Sequence, residues 1–322
     1  MASSGSSEMR SLRECEADPS HPAVEARIRT GLASVNNRVV ELAAKLAGEQ
    51  GRKTLSDELR LTYDRFLAAG DAADRGCLAK TAIIDALRLM DYDDSSFFLT
   101  GIHFHQYDPG FGGSTDSAAR LRALCGFALI QQSHPHAMSE LVDLLADPEK
   151  TARAGAARAI AHGGGRESEW LLRLKISLGD KDPEVMGECF AGLLRLDPRQ
   201  GIERVAPFLS DPFEELACEA AIALGETRLS AALPYLQTQL LRTKSRDYIR
   251  TLLMAIGLLG TAEAVDHLLI VVDDGDYDVA VAAIEALSNC RDRVSIKERL
   301  EAVVNKPTNA RLQNAMMSAF RD

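Results

Sequence analysis

From Asp147 onward the chain repeats one unit: a turn, a small-residue helix, a second turn and a leucine-rich helix. The unit opens at Asp147-Pro148-Glu149, Asp182-Pro183-Glu184, Asp211-Pro212-Phe213, Asp247-Tyr248-Ile249 and Asp276-Tyr277-Asp278, 29 to 36 residues apart. One helix pair of that length cannot bury its apolar face alone, so successive pairs must stack and share a continuous core. The recurrence predicts an all-α fold, a right-handed α-solenoid of stacked antiparallel helix pairs.

Composition agrees. Hydrophobic residues make up 46% of the chain but aromatics only 5%, so the core is built from Leu, Ala, Val and Ile. Ala lets helix backbones approach closely and Leu fills the grooves between them. Apolar periodicity predicts the pairs 151–161 with 168–178, 183–196 with 201–209, 213–224 with 231–241, 246–259 with 262–272 and 278–288 with 294–303, closed by a half-unit over 309–320. Pro148, Pro183 and Pro212 fit first-turn positions, where a missing N–H costs nothing. Gly225 and Gly260 fit left-handed helix ends.

The units resemble HEAT repeats, in particular the short HEAT-like repeats of phycobilisome lyases. Asp211-Pro212, Glu219 to Gly225 and Ala231 to Leu236 carry the resemblance, and Arg250 to Gly260 with Ala264 to Leu269 look like the same unit. The helix-A arginine common in such repeats matches Arg153 and Arg250, which implies a broken Arg/Asp ladder. The segment around Gly101 to Arg122 is similar to one in uncharacterised bacterial HEAT-repeat proteins. The resemblance implies a fold; function belongs to sites grafted on it.

The domain reading is a disordered Ser-rich tail over 1–22 and a single solenoid over 23–322. The solenoid comprises an irregular N-terminal pair (23–70), a helix over 74–90, a non-repeat insertion (91–117) and regular repeats (147–322). In the insertion, Ser95 caps a short helix, a glycine-rich loop spans Tyr107 to Asp116, and Ser114 or Asp116 caps the next helix.

The formal net charge of −10 disfavours nucleic acid, whose phosphates demand cations. No apolar stretch is long enough to span a membrane, and no apolar signal segment precedes the repeats. Six scattered cysteines form no CxxC pair; Cys77, Cys125, Cys189 and Cys218 read as small core residues of a reducing cytoplasm. The expectation is a cytoplasmic monomer or weak oligomer without a cofactor.

Two kinds of site compete. A solenoid that captures another protein would use the concave face of its second, B-type helices. Trp170, Arg173, Arg204, Tyr235 and Gln239 are the candidates there, with Tyr107 and Phe111 from the insertion. Alternatively the insertion is an enzyme or ligand site: His103, His105 and Asp108 supply imidazole and carboxylate donors for a transition metal. HxH residues at helical spacing point apart, however, and histidines near helix ends often cap carbonyls. Gly110 to Gly113 offers backbone N–H groups to an anion, but no Lys or Arg stands in that loop. Known activities of this repeat class can be held against the residues. None of the seven histidines is followed by Glu, the dipeptide by which deoxyhypusine hydroxylases hold iron. A basic concave face, as in alkylpurine DNA glycosylases, does not suit an acidic chain. A phycobilin-lyase-like role rests on fold resemblance alone.

Overall fold

The computed structural model describes residues 2–110, 113–290, 292–306 and 311–321. Among these the fold is helical repeat throughout, apart from one two-stranded hairpin. The chain divides into two compact units, Met1–Gly163 and Gly164–Asp322.

The first unit contains α1 (Ala2–Ala17), α2 (Val24–Leu32), α3 (Asn37–Glu49), α4 (Ser56–Ala69), α5 (Leu78–Leu89) and α6 (Ser95–Gly101), then the hairpin strands β1 (Tyr107–Gly110) and β2 (Gly113–Asp116), and α7 (Ala119–Gln131), α8 (Ala137–Leu144) and α9 (Lys150–Gly163). Helices α3, α5, α7 and α9 pack in succession as one row, with α4 against α5 and α8 against α9. Small residues set the spacing. A Cβ on Gly48 would lie 2.7 Å from the Ala86 Cα, and Gly155 sits directly against Ala123.

Four expectations change here. Residues 2–17, read as a disordered tail, form α1, because Leu12 and Cys15 lie three apart and both are buried. Leu12 meets α2 at Gly31. The cap of α6 is Asp94, which accepts the Phe97 N–H at 3.1 Å, instead of Ser95. The glycine-rich loop is an antiparallel hairpin with Tyr107 opposite Asp116 and Gly110 opposite Gly113. Before α9, Asp147 Oδ1 accepts the Glu149 N–H at 2.8 Å, so Pro148 lies in the turn ahead of the helix and not in its first turn.

The second unit contains α10 (Gly165–Leu178), α11 (Pro183–Leu196), α12 (Pro198–Val205), α13 (Glu214–Glu226), α14 (Leu233–Arg242), α15 (Arg246–Leu259), α16 (Ala262–Asp274), α17 (Tyr277–Ser288), α18 (Arg293–Val304) and α19 (Gln313–Ala319). Helices α11, α13, α15 and α17 form the A row, and α10, α12, α14 and α16 are the B partners that pack beside them. The boundary between the units falls inside the pair expected at 151–161 and 168–178. Pro183 opens α11 as expected, whereas Pro212 sits in an Asp211 turn ahead of α13. Gly260 does end α15 in a left-handed conformation, with φ +60°. Gly225 does not. It lies within α13, where a Cβ would come within 2.8 Å of the Ala255 Cα, so close helix approach accounts for it. Gly257 repeats the device against Ala286 on α17. Among the described residues no helix is long and apolar enough to cross a membrane.

Candidate functional sites

The first unit concentrates buried charge where the hairpin joins the helices. Asp74, Asp116 and Asp147 each stand six residues ahead of a basic residue: Lys80, Arg122 and Arg153. Asp74 is fully buried; its carboxylate accepts the N–H groups of Ala79 (2.9 Å) and Lys80 (3.0 Å) at the start of α5 and meets Lys80 Nζ at 3.2 Å. Arg122, equally buried, donates from Nε and Nη2 to the two oxygens of Asp147 at 2.9 and 3.0 Å. Its Nη1 donates to Asp116 Oδ2 (2.7 Å) and to the Phe104 carbonyl (3.0 Å). Arg153 Nη1 donates to the carbonyls of Asp147 and Pro148. A charged ladder therefore runs through the first unit. Arg122 is the rung that the helix-A comparison missed, although the six-residue offset to an aspartate was present in the sequence.

The hairpin hangs on this ladder. Gln106 is buried; its N–H donates to Asp116 Oδ1 (3.2 Å), its carbonyl accepts the Ser117 N–H (2.8 Å), and its amide donates to the Asp74 carbonyl (2.7 Å). Asp108 Oδ2 accepts from Ser117 Oγ (2.5 Å), the Gly76 N–H (2.9 Å) and Gln106 Nε2 (3.1 Å). Desolvation works against the charge of Asp108, but these bonds, Ser117 foremost, outweigh it and hold its pKa below the usual carboxylate value. Asp116 is lowered in the same way: burial opposes ionisation, and the bonds from His105, Ala118 and Gln106, with Arg122 beside it, prevail.

The three proposed metal donors do not converge. His103 Nε2 meets Glu140 Oε2 at 2.9 Å, His105 Nδ1 meets Asp116 Oδ2 at 2.7 Å, and Asp108 is occupied with Ser117, Gly76 and Gln106. Among the described residues no group of three or more His, Cys, Asp or Glu side chains is placed to hold a metal ion. His105 instead stacks on Tyr107, ring centroids 6.2 Å apart and planes within 7°, and Tyr107 is exposed at the hairpin surface. Phe111 lies outside the described residues. Three buried cysteines are held as thiols by their environment: burial pushes Cys77 and Cys189 up to about 12, and Cys125 is also raised by burial.

In the second unit α10 leaves Trp170, Leu174 and Leu178 on the surface, at 55, 55 and 75% exposure. A spacing of four places them in one stripe along the helix. Beside it a cavity of about 600 Å³ opens between α10 and α12, lined by Arg173, Ser177, Leu178, Arg204 and Phe208 among others. The structure thus brings the expected Arg173 and Arg204 to one cavity. Arg173 also pairs with Glu169 at 3.0 Å; Arg204 has no ion-pair partner among the described residues. Tyr235 is exposed on α14. Gln239 accepts a hydrogen bond from Ser210 (3.0 Å) and lines a separate cavity of about 350 Å³ with Asp211 and Arg242. Leu174 and Leu178 are not among the candidates that the sequence offers for this surface.

No family model matches the chain, and no curated protein does. Among solved structures it is similar to the complex of CpcE and CpcF of phycocyanin lyase from Nostoc sp. PCC7120, at 17% identity over 92% of this chain and 94% of that one, with a TM-score of 0.38. An engineered protein is similar at 15% identity over 96% and 93% of the two chains, TM-score 0.36. Human deoxyhypusine hydroxylase in complex with glycerol is similar at 16% over 79% and 98%, TM-score 0.31. Likeness at this level says nothing of chemistry.

Proposed function

We propose that this chain is a binding protein that holds a segment of another protein on the B-helix surface of its second unit. The observation that supports it most is the contiguous stripe of Trp170, Leu174 and Leu178 beside the cavity shared by Arg173 and Arg204. Large apolar side chains left in water at helical spacing are costly unless something covers them. Trp and Arg are also the residue types that dominate binding energy at protein interfaces. The buried ladder of the first unit is in this reading a stabilising framework that fixes the hairpin and presents Tyr107.

The test is a comparison of purified wild type with W170A/L174A as bait, recovered proteins being quantified by mass spectrometry. Met254, half-exposed on α15 of the A row, supplies the control M254A. Proteins retained by wild type and M254A but lost from W170A/L174A support the proposal. Equal recovery by all three contradicts it.

A further inference from the structure

On the reading just given, we propose that the occupant of this surface is an amphipathic helix whose apolar stripe is flanked by acidic residues.

The apolar component sets the shape of the partner. Trp170, Leu174 and Leu178 span two turns of α10, about 12 Å of helix length. A stripe of that period is matched by another helix with apolar residues three and four apart, laid along α10 as in helix-in-groove recognition. A peptide that binds by adding a strand has no sheet edge to join here, because among the described residues the second unit has no strand.

Charge sets the flank. The B-helices α10, α12 and α14 together carry six Lys and Arg residues against three Glu. The A-helices that they pack beside, α11, α13 and α15, carry three Arg against six Glu and one Asp. In a chain with net charge −10, the α10, α12 and α14 part of the B row is a local basic region, whereas α16 carries four acids and no Lys or Arg. Helix geometry places the charges usefully. Arg166 and Arg173 lie on one edge of the apolar stripe, and Arg173 turns toward the cavity where Arg204 stands on α12. Three acids line that cavity with the two arginines: Asp180, which pairs with Lys175 at 2.8 Å, Asp211, which accepts the Phe213 N–H, and Glu203. Glu167 and Glu203 stay exposed, yet Arg166, Arg199 and Arg204 have no ion-pair partner among the described residues. Guanidinium groups of this kind pair with carboxylates in two-pronged geometry. The basic edge therefore favours Glu or Asp on the facing side of the bound helix and disfavours Lys.

The experiment uses the full chain, whose only tryptophan is Trp170. Three fluorescein-labelled helical peptides share one leucine stripe and carry Glu, Gln or Lys on the flanks. Binding is read by anisotropy and by the emission of Trp170, which shifts to the blue when an apolar face covers it. The expected result is binding in the order Glu, Gln, Lys, weakened by salt. In R166E/R204E, at two exposed positions, the Glu-flanked peptide should lose roughly tenfold in affinity and the Lys-flanked one should gain. Circular dichroism checks that the variant is folded, and the single variants R166Q and R204Q give smaller losses in the same direction. Equal binding of the three peptides, with the Trp170 shift intact, overturns the acidic flank while leaving the docking surface standing. Failure of every peptide to move Trp170 overturns the docking surface itself. A shift produced by anionic lipid vesicles but by none of the peptides assigns the stripe to a membrane surface and overturns the proposal.

Discussion

Arg122→Met is the substitution on which the ladder depends most. The guanidinium is 1% exposed and makes four hydrogen bonds, two to Asp147, one to Asp116 and one to the Phe104 carbonyl. Methionine fills much of the space but strands both carboxylates. They are not stranded equally. Asp116 keeps His105, the Gln106 N–H and the Ala118 N–H, whereas Asp147 keeps only the Glu149 N–H, on Oδ1. Breaking a buried pair from one side costs about 3–5 kcal/mol, because the remaining charge stays buried without compensation. That is a large part of the roughly 5–15 kcal/mol by which domains are stable. The cost should come mainly from Asp147. In R122M/D147N the amide still accepts from Glu149 but carries no charge, so the double variant should recover about half the loss. Urea unfolding followed by far-UV circular dichroism reads the stability. Hydrogen exchange should show faster exchange at Ala118 and Glu149, the amides held by Asp116 and Asp147. A loss under about 1 kcal/mol, the range of an exposed pair, or a double variant less stable than R122M, would refute the argument.

Further outcomes follow from single positions. Gly225→Ala gains helix propensity yet forces a methyl group against the α15 backbone, so it should cost about 1–3 kcal/mol; a melting temperature at or above wild type would contradict the close approach. His267 is held below the usual imidazole value of about 6.5 by burial, and its Nε2 has no hydrogen-bond partner among the described residues. The unfolded chain thus takes up the proton first, so stability is full above pH 6.5 and falls as pH drops from there toward the lowered value. In H267L that fall should vanish; an unchanged pH–stability profile would assign it elsewhere. Glu219 is raised above 4.5, chiefly by burial and then by Glu184 and Glu226. Its ionised form therefore costs stability as pH rises through the raised value. Glu219→Gln should be more stable than wild type at pH 7 and nearly equal to it at pH 4, read by urea midpoints at the two values.

The repeat architecture was legible because the helix-pair period, the Asp-led turns and the small-residue helices all point the same way. What escaped the sequence has particular causes. In the serine-rich N-terminus, Leu12 and Cys15 are the buried apolar residues of α1 among the described ones, and two residues give no visible period. Gly225 sits beside a helix end, where a left-handed turn and a close approach look alike in one dimension. His103 and His105 suggested a shared ligand. Which carboxylate each one meets depends on Glu140 and Asp116, distant in sequence and brought near by α8 and the hairpin. Arg173 and Arg204 were placed on B-helices correctly, but only the packing of α12 beside α11 puts them at one cavity. Leu174 and Leu178 could not be sorted from buried leucines such as Leu172 without the rotation of α10.

The central claim is that the B-helix surface of the second unit is where a partner binds. Hydrogen–deuterium exchange on the full chain, alone and with a protein recovered by wild type but not by W170A/L174A, tests it most directly. The account predicts slowed exchange in 165–178, 198–205 and 233–242, with the hairpin at 107–116 unchanged or slowed only at Tyr107. Protection confined to the hairpin, or to α11 and α13 on the A row, would contradict it.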